Sequence, residues 1–164
     1  MTGQITQINI SRGGIPKRPV SAVAITREGL EADSWNHPEI HGGRNQAVLL
    51  IAEEVIEELK SRGYSIYPGA LGENLTTRGI DRKQLRIGQQ FRVGPVLLEL
   101  TKVRVPCATL DIYGPTIKQE IYDKRVKAGD PASPRWGMSG FYASVIEPGI
   151  VQVNDVIALE AVLA

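Results

Sequence analysis

The chain contains one cysteine, Cys107, in the run Arg104-Val105-Pro106-Cys107. A thiolate is the form of cysteine that attacks electrophiles or binds metal, and a neighbouring guanidinium favours that form. Pro106 lacks an N–H and cannot continue a strand ladder, so the run reads as a turn that points Cys107 away from a sheet. Residue type alone favours a plainer role, because a lone cysteine is more often a small buried hydrophobe.

The two histidines, His37 and His41, stand four apart and invite a zinc reading. Pro38 between them and Gly42-Gly43 after them argue against a regular helix, and no third or fourth ligand follows at metal spacing, so that reading is rejected. His37 reads as an exposed loop residue. His41-Gly42-Gly43-Arg44-Asn45 instead has the composition of a loop that can approach a ligand closely. A second glycine-punctuated loop, Gly69-Ala70-Leu71-Gly72-Glu73-Asn74, leads into an apolar run, where Glu73 and Asn74 would cap a turn or fix a neighbouring loop. A third, Ser11-Arg12-Gly13-Gly14-Ile15-Pro16-Lys17-Arg18, gathers basic residues and glycines. Backbone N–H groups and cations in such a loop can hold a phosphate, although short basic clusters are also common on solvated surfaces.

The elements that must position these loops are mostly strands. Seventeen glycines and ten prolines cut the 164 residues into short β-branched runs. The expected strands are Gln4 to Ile10, Val20 to Thr26, Gln46 to Leu50, Asn74 to Thr77, Gln89 to Val93, Val96 to Val103, Gly140 to Ile146 and Val156 to Val162. Gly94-Pro95 marks a hairpin, and Glu147-Pro148-Gly149 punctuates the C-terminal strands. Two helices are expected. Ala52 to Arg62 carries Val55, Ile56 and Leu59 on one face and stops at Gly63; Thr116 to Lys127 carries Ile117, Ile121 and Tyr122. The expected fold is mainly β, a barrel with a few peripheral α-helices, in one domain spanning residues 1–164.

Composition narrows the function classes. Nineteen lysines and arginines against 18 acidic residues supply none of the field that non-specific nucleic-acid binding needs. No window approaches the roughly 18 apolar residues of a membrane span, and one cysteine cannot close an intrachain disulfide. A cytoplasmic protein with no nucleic-acid and no membrane partner is expected.

Taken together, the motifs carry a resemblance. Gly13-Gly14-Ile15-Pro16-Lys17-Arg18-Pro19-Val20, Gly29-Leu30-Glu31-Ala32-Asp33, His41-Gly42-Gly43, Gly72-Glu73-Asn74-Leu75, Pro106-Cys107 and Trp136-Gly137-Met138-Ser139-Gly140-Phe141-Tyr142 follow in an order and spacing that resemble the MOSC family, named for the C-terminal domain of molybdenum cofactor sulfurases. The resemblance covers about Gln4 to Leu159. It implies a MOSC-type β-barrel in which Cys107 is the functional residue. In enzymes of the family the matching cysteine ligates molybdenum held by a pterin dithiolene, and the site reduces N-hydroxylated compounds. In sulfurases the domain follows a cysteine desulfurase module, a pyridoxal phosphate context, and that module is missing from this sequence.

The resemblance therefore implies the molybdenum cofactor (molybdopterin) as cofactor, Cys107 as catalytic residue and metal ligand, and a small N-hydroxylated substrate. An electron-donor reductase is the partner such an oxidoreductase needs. Lys17, Arg18, Arg44 and Arg104 are candidates for the anionic phosphate and pterin, and are expected to line one cleft with Cys107. Asn74 and His41 are candidates for orientation or proton supply. The alternative is a non-redox sulfur carrier or cofactor chaperone in which Cys107 holds a persulfide. A third reading is a binding barrel that kept the scaffold without the chemistry. Gly88-Gln89 and Asn154-Asp155 stand where the family often has Gly-Asp, changes that concern turns, since Asn tolerates the left-handed conformation.

Overall fold

The structure, a computed structural model, describes residues 1–34 and 42–160. Its strands are β1 (Thr2–Ile10), β2 (Arg18–Val20), β3 (Ala22–Thr26), β4 (Gly29–Leu30), β5 (Val48–Ala52), β6 (Leu75–Arg78), β7 (Gln90–Val93), β8 (Val96–Val103), β9 (Phe141–Glu147), β10 (Gly149–Gln152) and β11 (Val156–Leu159). The helices are α1 (Glu53–Ser61), α2 (Ile117–Ile121) and α3 (Lys124–Lys127). Seven strands close into a barrel in the order β11-β7-β8-β9-β5-β6-β1, because β1 pairs with β11 as well as with β6. β2 adds to β1, and β10-β3-β4 forms a separate small sheet. Among the described residues only the β5–β6 pair is parallel, with α1 in the connection between them. The mainly β barrel expected from the sequence is the fold observed.

Inward-facing residues fill the barrel. Ile5, Ile8, Leu75, Phe91, Leu98, Leu100, Phe141 and Ile157 are each at most 2% exposed and belong to one cluster. Ile5 and Ile8 are three apart, a spacing that strict alternation along a strand would put on opposite faces. A bulge between Ile5 and Gln7 re-phases β1 so that both reach the core. A second bulge lies between Leu100 and Lys102 on β8. It keeps Leu100 and Val103 toward the core and leaves Lys102 and Arg104 together on the outer side.

A smaller apolar cluster lies outside the barrel. Val55, Ile56 and Leu59 of α1 pack there with Leu71, Leu110, Ile117, Ile121 and Met138. The α1 expectation holds to within a residue at each end, with Glu53 and Glu54 in the first turn. The Gly94-Pro95 hairpin is observed, with Val93 opposite Val96. Asn154 adopts φ 77°, the left-handed conformation the sequence expects there.

Two expectations are corrected. The helix expected over Thr116 to Lys127 is two short helices separated by extended backbone at Tyr122 and Asp123. Asp123 is the N-cap of α3, its carboxylate accepting the Val126 N–H at 2.8 Å and the Ser133 hydroxyl at 2.8 Å. The break has a packing reason: Ile117 and Ile121 bury in the outer cluster, whereas Val126 buries in the barrel cluster. The strand expected over Val20 to Thr26 is also divided. Val20 pairs with Ile8 of β1, while Ala22 pairs with Gln152 of β10, so the chain changes sheets at Ser21. β4 and β10 themselves are too short to stand out in the sequence.

Candidate functional site

The site is built where β8 ends. The Arg104 N–H donates to the Gly140 carbonyl at 2.9 Å, and the Ser139 hydroxyl donates to the Arg104 carbonyl at 2.6 Å. Both bonds fix the chain just before it leaves the barrel. Val105-Pro106-Cys107 then crosses the surface and enters a 3-10 turn at Ala108–Tyr113, with Cys107 at its N-cap. The Cys107 carbonyl accepts the Leu110 N–H at 3.1 Å, and Leu110 is fully buried in the outer cluster. That anchor holds a half-buried thiol at the surface, 2.6 Å from the Thr109 hydroxyl. Val105 and Ile112 on either side are 64% and 69% exposed. Leu110, not the cysteine, does the core packing of this segment, which removes the plainest reading of Cys107 as a buried hydrophobe.

Arg104 behaves differently from a surface arginine. It is 6% exposed, and its guanidinium runs along Gly72, where a Cβ would stand 3.9 Å from Nη2. Its Nη1 is buried without a hydrogen-bond partner among the described residues. Tyr142 of β9 lies opposite Lys102 in the ladder, and the Lys102 ammonium sits 5.5 Å from the centre of its ring. Burial holds the Tyr142 phenol above its ordinary value; the Arg104 charge opposes this and Cys107 reinforces it.

Behind Arg104 lies a buried polar lattice. The Lys17 ammonium donates to both Asp33 carboxylate oxygens at 2.6 and 2.7 Å, with side-chain exposures of 7% and 1%. The Asn74 amide donates to Asp33 at 2.9 Å and to the Asn9 carbonyl at 3.3 Å, and its oxygen accepts the Leu49 N–H at 3.0 Å. The Ser11 N–H also donates to Asp33, at 2.9 Å. One carboxylate thus ties together the loop before β2, the end of β4 and the start of β6. The Lys17 N–H donates to the Gly69 carbonyl at 2.9 Å, which brings two backbones into contact. Gly69 has φ 94°, and a Cβ there would run into the Lys17 carbonyl, so only glycine fits.

Glu73, next to Asn74, is fully buried. Its Oε2 accepts the Thr76 hydroxyl at 3.2 Å, while Oε1 has no partner among the described residues. Burial pushes its carboxyl up to about 7, against the opposing pull of the Gly69 and Glu73 backbone, Thr76 and the Arg104 charge.

The residues singled out in the sequence fall into distinct surroundings. Cys107 and Arg104 adjoin at the end of β8. Lys17 and Asn74 meet on Asp33. Arg18 is exposed on β2, opposite Ile10. Arg44 is on the surface, its guanidinium on Glu28 at 3.0 Å with both side chains about 70% exposed. His41, like the rejected His37, lies outside the described residues. Sequence reasoning missed Asp33 as the partner of Lys17, the burial of Glu73, and Lys102 and Tyr142 beside Arg104. Strand alternation offered a signal for Lys102, two residues before Arg104 on the longest apolar strand. Nothing in residue type links Lys17 to Asp33 across sixteen positions.

The donor chemistry suits a soft metal brought with ligands of its own. Cys107 offers one reachable sulfur, and among the described residues no three His, Cys, Asp or Glu side chains gather as a closed ion site. The unpartnered Arg104 Nη1 supplies a positive donor nearby.

A seven-stranded barrel that presents one reachable thiol beside a buried arginine defines the class of protein. A family model for the MOSC domain matches residues 37–158, and the chain belongs to this family, which is associated with molybdenum cofactor binding. It is 34% identical over 143 residues to the uncharacterized protein YflK of Bacillus subtilis, covering 84% of this chain and 59% of that protein. It is 27% identical over 134 residues to protein YiiM of Escherichia coli, covering 79% and 55%. The chain thus spans well under two thirds of the length of these curated relatives. The crystal structure of YiiM from Geobacillus stearothermophilus has the same fold, with a TM-score of 0.74 at 23% identity over 97% of this chain and 75% of that one. No helix of the described residues is long and apolar enough to cross a membrane.

Proposed function

We propose that this chain binds the molybdenum cofactor with Cys107 as the metal ligand and reduces N-hydroxylated compounds, drawing electrons from a separate reductase. The observation that carries the reading is the half-buried thiol held at the surface by Leu110, next to a buried arginine with an unpartnered donor. When bound, the cofactor supplies the electron transfer that cleaves the N–O bond. The overall change is R–NH–OH with two electrons and two protons giving R–NH2 and water.

The protein's own residues position and polarise. Cys107 gives the soft sulfur ligand, and Thr109 keeps a hydroxyl on that sulfur. Arg104 places a fixed positive charge against an anionic ligand. Arg18 and Arg44 keep their assignment to the cofactor phosphate from the family resemblance alone, Arg44 being paired with Glu28 on the surface. Lys17 and Asn74 act through Asp33, holding the loops in shape rather than spending their donors on a ligand. His41 is assigned orientation or proton supply from its place in the His41-Gly42-Gly43 motif.

A second reading, a sulfur carrier with a persulfide on Cys107, draws on the exposed Val105 and Ile112 flanking the thiol, an apolar collar suited to handing a group to another protein. Elemental analysis separates the two. Protein purified without oxygen, from cells that make the cofactor, is expected to carry molybdenum and to reduce an N-hydroxylated purine. Protein without molybdenum that gains the mass of one sulfur atom on Cys107 would instead establish the carrier.

A further inference from the structure

Charge is unevenly placed along the chain. Residues 81–90 and 122–136 carry seven lysines and arginines against three aspartates, a net +4, while the rest of the chain has 12 cations against 15 carboxylates. The two stretches form one surface. The Trp136 indole donates to the Leu85 carbonyl at 2.9 Å, and the Arg82 guanidinium donates to the Pro134 carbonyl at 3.1 Å. The aspartates are already spent. Asp130 pairs with Arg125 at 2.8 Å and Asp123 with Arg135 at 3.6 Å, and Asp81 caps its own turn by accepting the Lys83 N–H at 3.0 Å. Lys83, Arg86, Lys124 and Lys127 are exposed and make no ion pair with a described residue.

Beside these cations an apolar side chain is held in water. Ile87 is 48% exposed, in a turn pinned on both sides: the Arg86 N–H donates to the Gln89 amide oxygen at 2.8 Å, and the Gly88 N–H donates to the Leu100 carbonyl of β8 at 2.8 Å. The surface also adjoins the thiol segment. Three residues after Trp136, the Ser139 hydroxyl donates to the Arg104 carbonyl at 2.6 Å, and Arg104 stands three residues before Cys107. Toward α1 the cations give way to Glu54 and Glu58, which line the same groove as Arg82 and Lys83.

We propose that this surface docks an acidic electron-carrier protein, whose carboxylates meet Lys83, Arg86, Lys124 and Lys127 while Ile87 packs against an apolar side chain of the carrier. The proposal rests on the reductive reading, which needs an external source of two electrons. Two molecules of a reduced flavoprotein, each passing from flavin hydroquinone to semiquinone, supply one electron apiece, and two protons from water complete R–NH2 and H2O from R–NH–OH. Mixed charge and an apolar contact favour a protein over a lipid surface or a nucleic acid. A uniform array of phosphates would meet Asp81 and the Glu54–Glu58 edge as well as the cations, whereas a protein can set its own cations against that edge and so dock in one orientation. Exposed charges speed encounter and set register more than they add affinity, which suits a carrier that must leave after each electron.

The test uses protein purified without oxygen from cells that make the cofactor, an N-hydroxylated purine as substrate, and either reduced flavodoxin, a small acidic flavoprotein, or reduced methyl viologen as electron donor. With flavodoxin, kcat/KM for the donor is expected to fall as salt is raised, and Lys83→Glu with Arg86→Glu, or Lys124→Glu with Lys127→Glu, should lower it about tenfold or more at low salt. The difference from wild type should shrink at about 1 M salt, where exposed charges are screened within about 3 Å. Ile87→Ser should weaken flavodoxin binding, read by calorimetry, and leave its salt dependence unchanged. With methyl viologen no variant should be slower than wild type, and molybdenum content should stay at the wild-type value. Flavodoxin-driven rates that both double reversals leave unchanged overturn the proposal, as does tighter binding of wild type to phosphatidylglycerol vesicles or duplex DNA than to flavodoxin. Flavodoxin binding that the reversals abolish, in a wild type that reduces no N-hydroxylated substrate from either donor, refutes the reductive reading and leaves the docking surface standing. Where a reversal fails to fold, Lys83→Gln with Lys124→Gln, which removes charge without adding repulsion, takes its place with the same expected direction.

Discussion

The two sides of Arg104 are built on opposite principles. On one side, Lys17, Asp33, Asn74 and Asn9 bury their polar groups and spend them on one another, so that loops far apart in sequence form a rigid wall. On the other, Val105 to Ile112 keeps a thiol and two apolar side chains in contact with solvent and is anchored mainly by Leu110. The wall has almost no freedom to meet a ligand, while the loop has little reason beyond chemistry to expose what it does. Residues that looked alike as candidates in the sequence therefore divide into those that shape the site and those that can touch something in it.

The sharpest way to break this comparison is to remove the carboxylate at the centre of the wall. Asp33→Ala leaves the Lys17 ammonium buried without its partner and strips acceptors from Ser11 and Asn74. A loss of about 3 to 5 kcal/mol is expected in urea unfolding. A loss below about 1 kcal/mol would mean that the wall does not bear the stability assigned to it.

Glu73 gives the next largest effect, and its sign is set by its raised carboxyl. An ordinary glutamate releases its proton near 4.5, whereas the folded protein holds it up to about 7, so the folded state binds more protons between those values. Its contribution is complete below about pH 4.5 and is lost as pH rises through 7, a fall of about 3 kcal/mol. Unfolding free energies measured at pH 5 and pH 8 should differ in that direction relative to Glu73→Gln, in which the difference collapses. Equal pH dependence in the two proteins would show that Glu73 is already ionised at pH 5.

A smaller effect is expected where the wall is closed by backbone contact. Gly69→Ala must accept a positive φ and an encounter with the Lys17 carbonyl, and should cost about 2 kcal/mol, read from the melting temperature. A neutral substitution would show that the two loops can part without penalty.

Much of the barrel was legible in the sequence because its strands carry β-branched runs between glycines and prolines, and because Gly94-Pro95 and the end of α1 at Gly63 are local signals. The bulges that bring Ile8 inward and turn Lys102 to the outer side were not, since a one-residue shift in pairing depends on the partner strand. The division of Thr116 to Lys127 followed from two cores competing for one amphipathic segment, which periodicity along a single chain cannot reveal. Cys107 stood out by being alone of its type beside Pro106. The pairing of Lys17 with Asp33, and the burial of Glu73, depend on closure of the barrel and leave no trace in spacing.

The central claim is that Cys107 serves chemistry and Leu110 serves packing. The direct measurement is Cys107→Ser and Leu110→Ala beside wild type, each scored for urea unfolding and for molybdenum retained after purification without oxygen. The account expects Cys107→Ser to unfold within about 1 kcal/mol of wild type yet retain no molybdenum, because a hydroxyl cannot replace a soft sulfur ligand. Leu110→Ala should lose about 2 to 5 kcal/mol through the cavity it leaves. A Cys107→Ser protein that unfolds much earlier while its folded fraction keeps the wild-type molybdenum content would contradict the account and return Cys107 to the core.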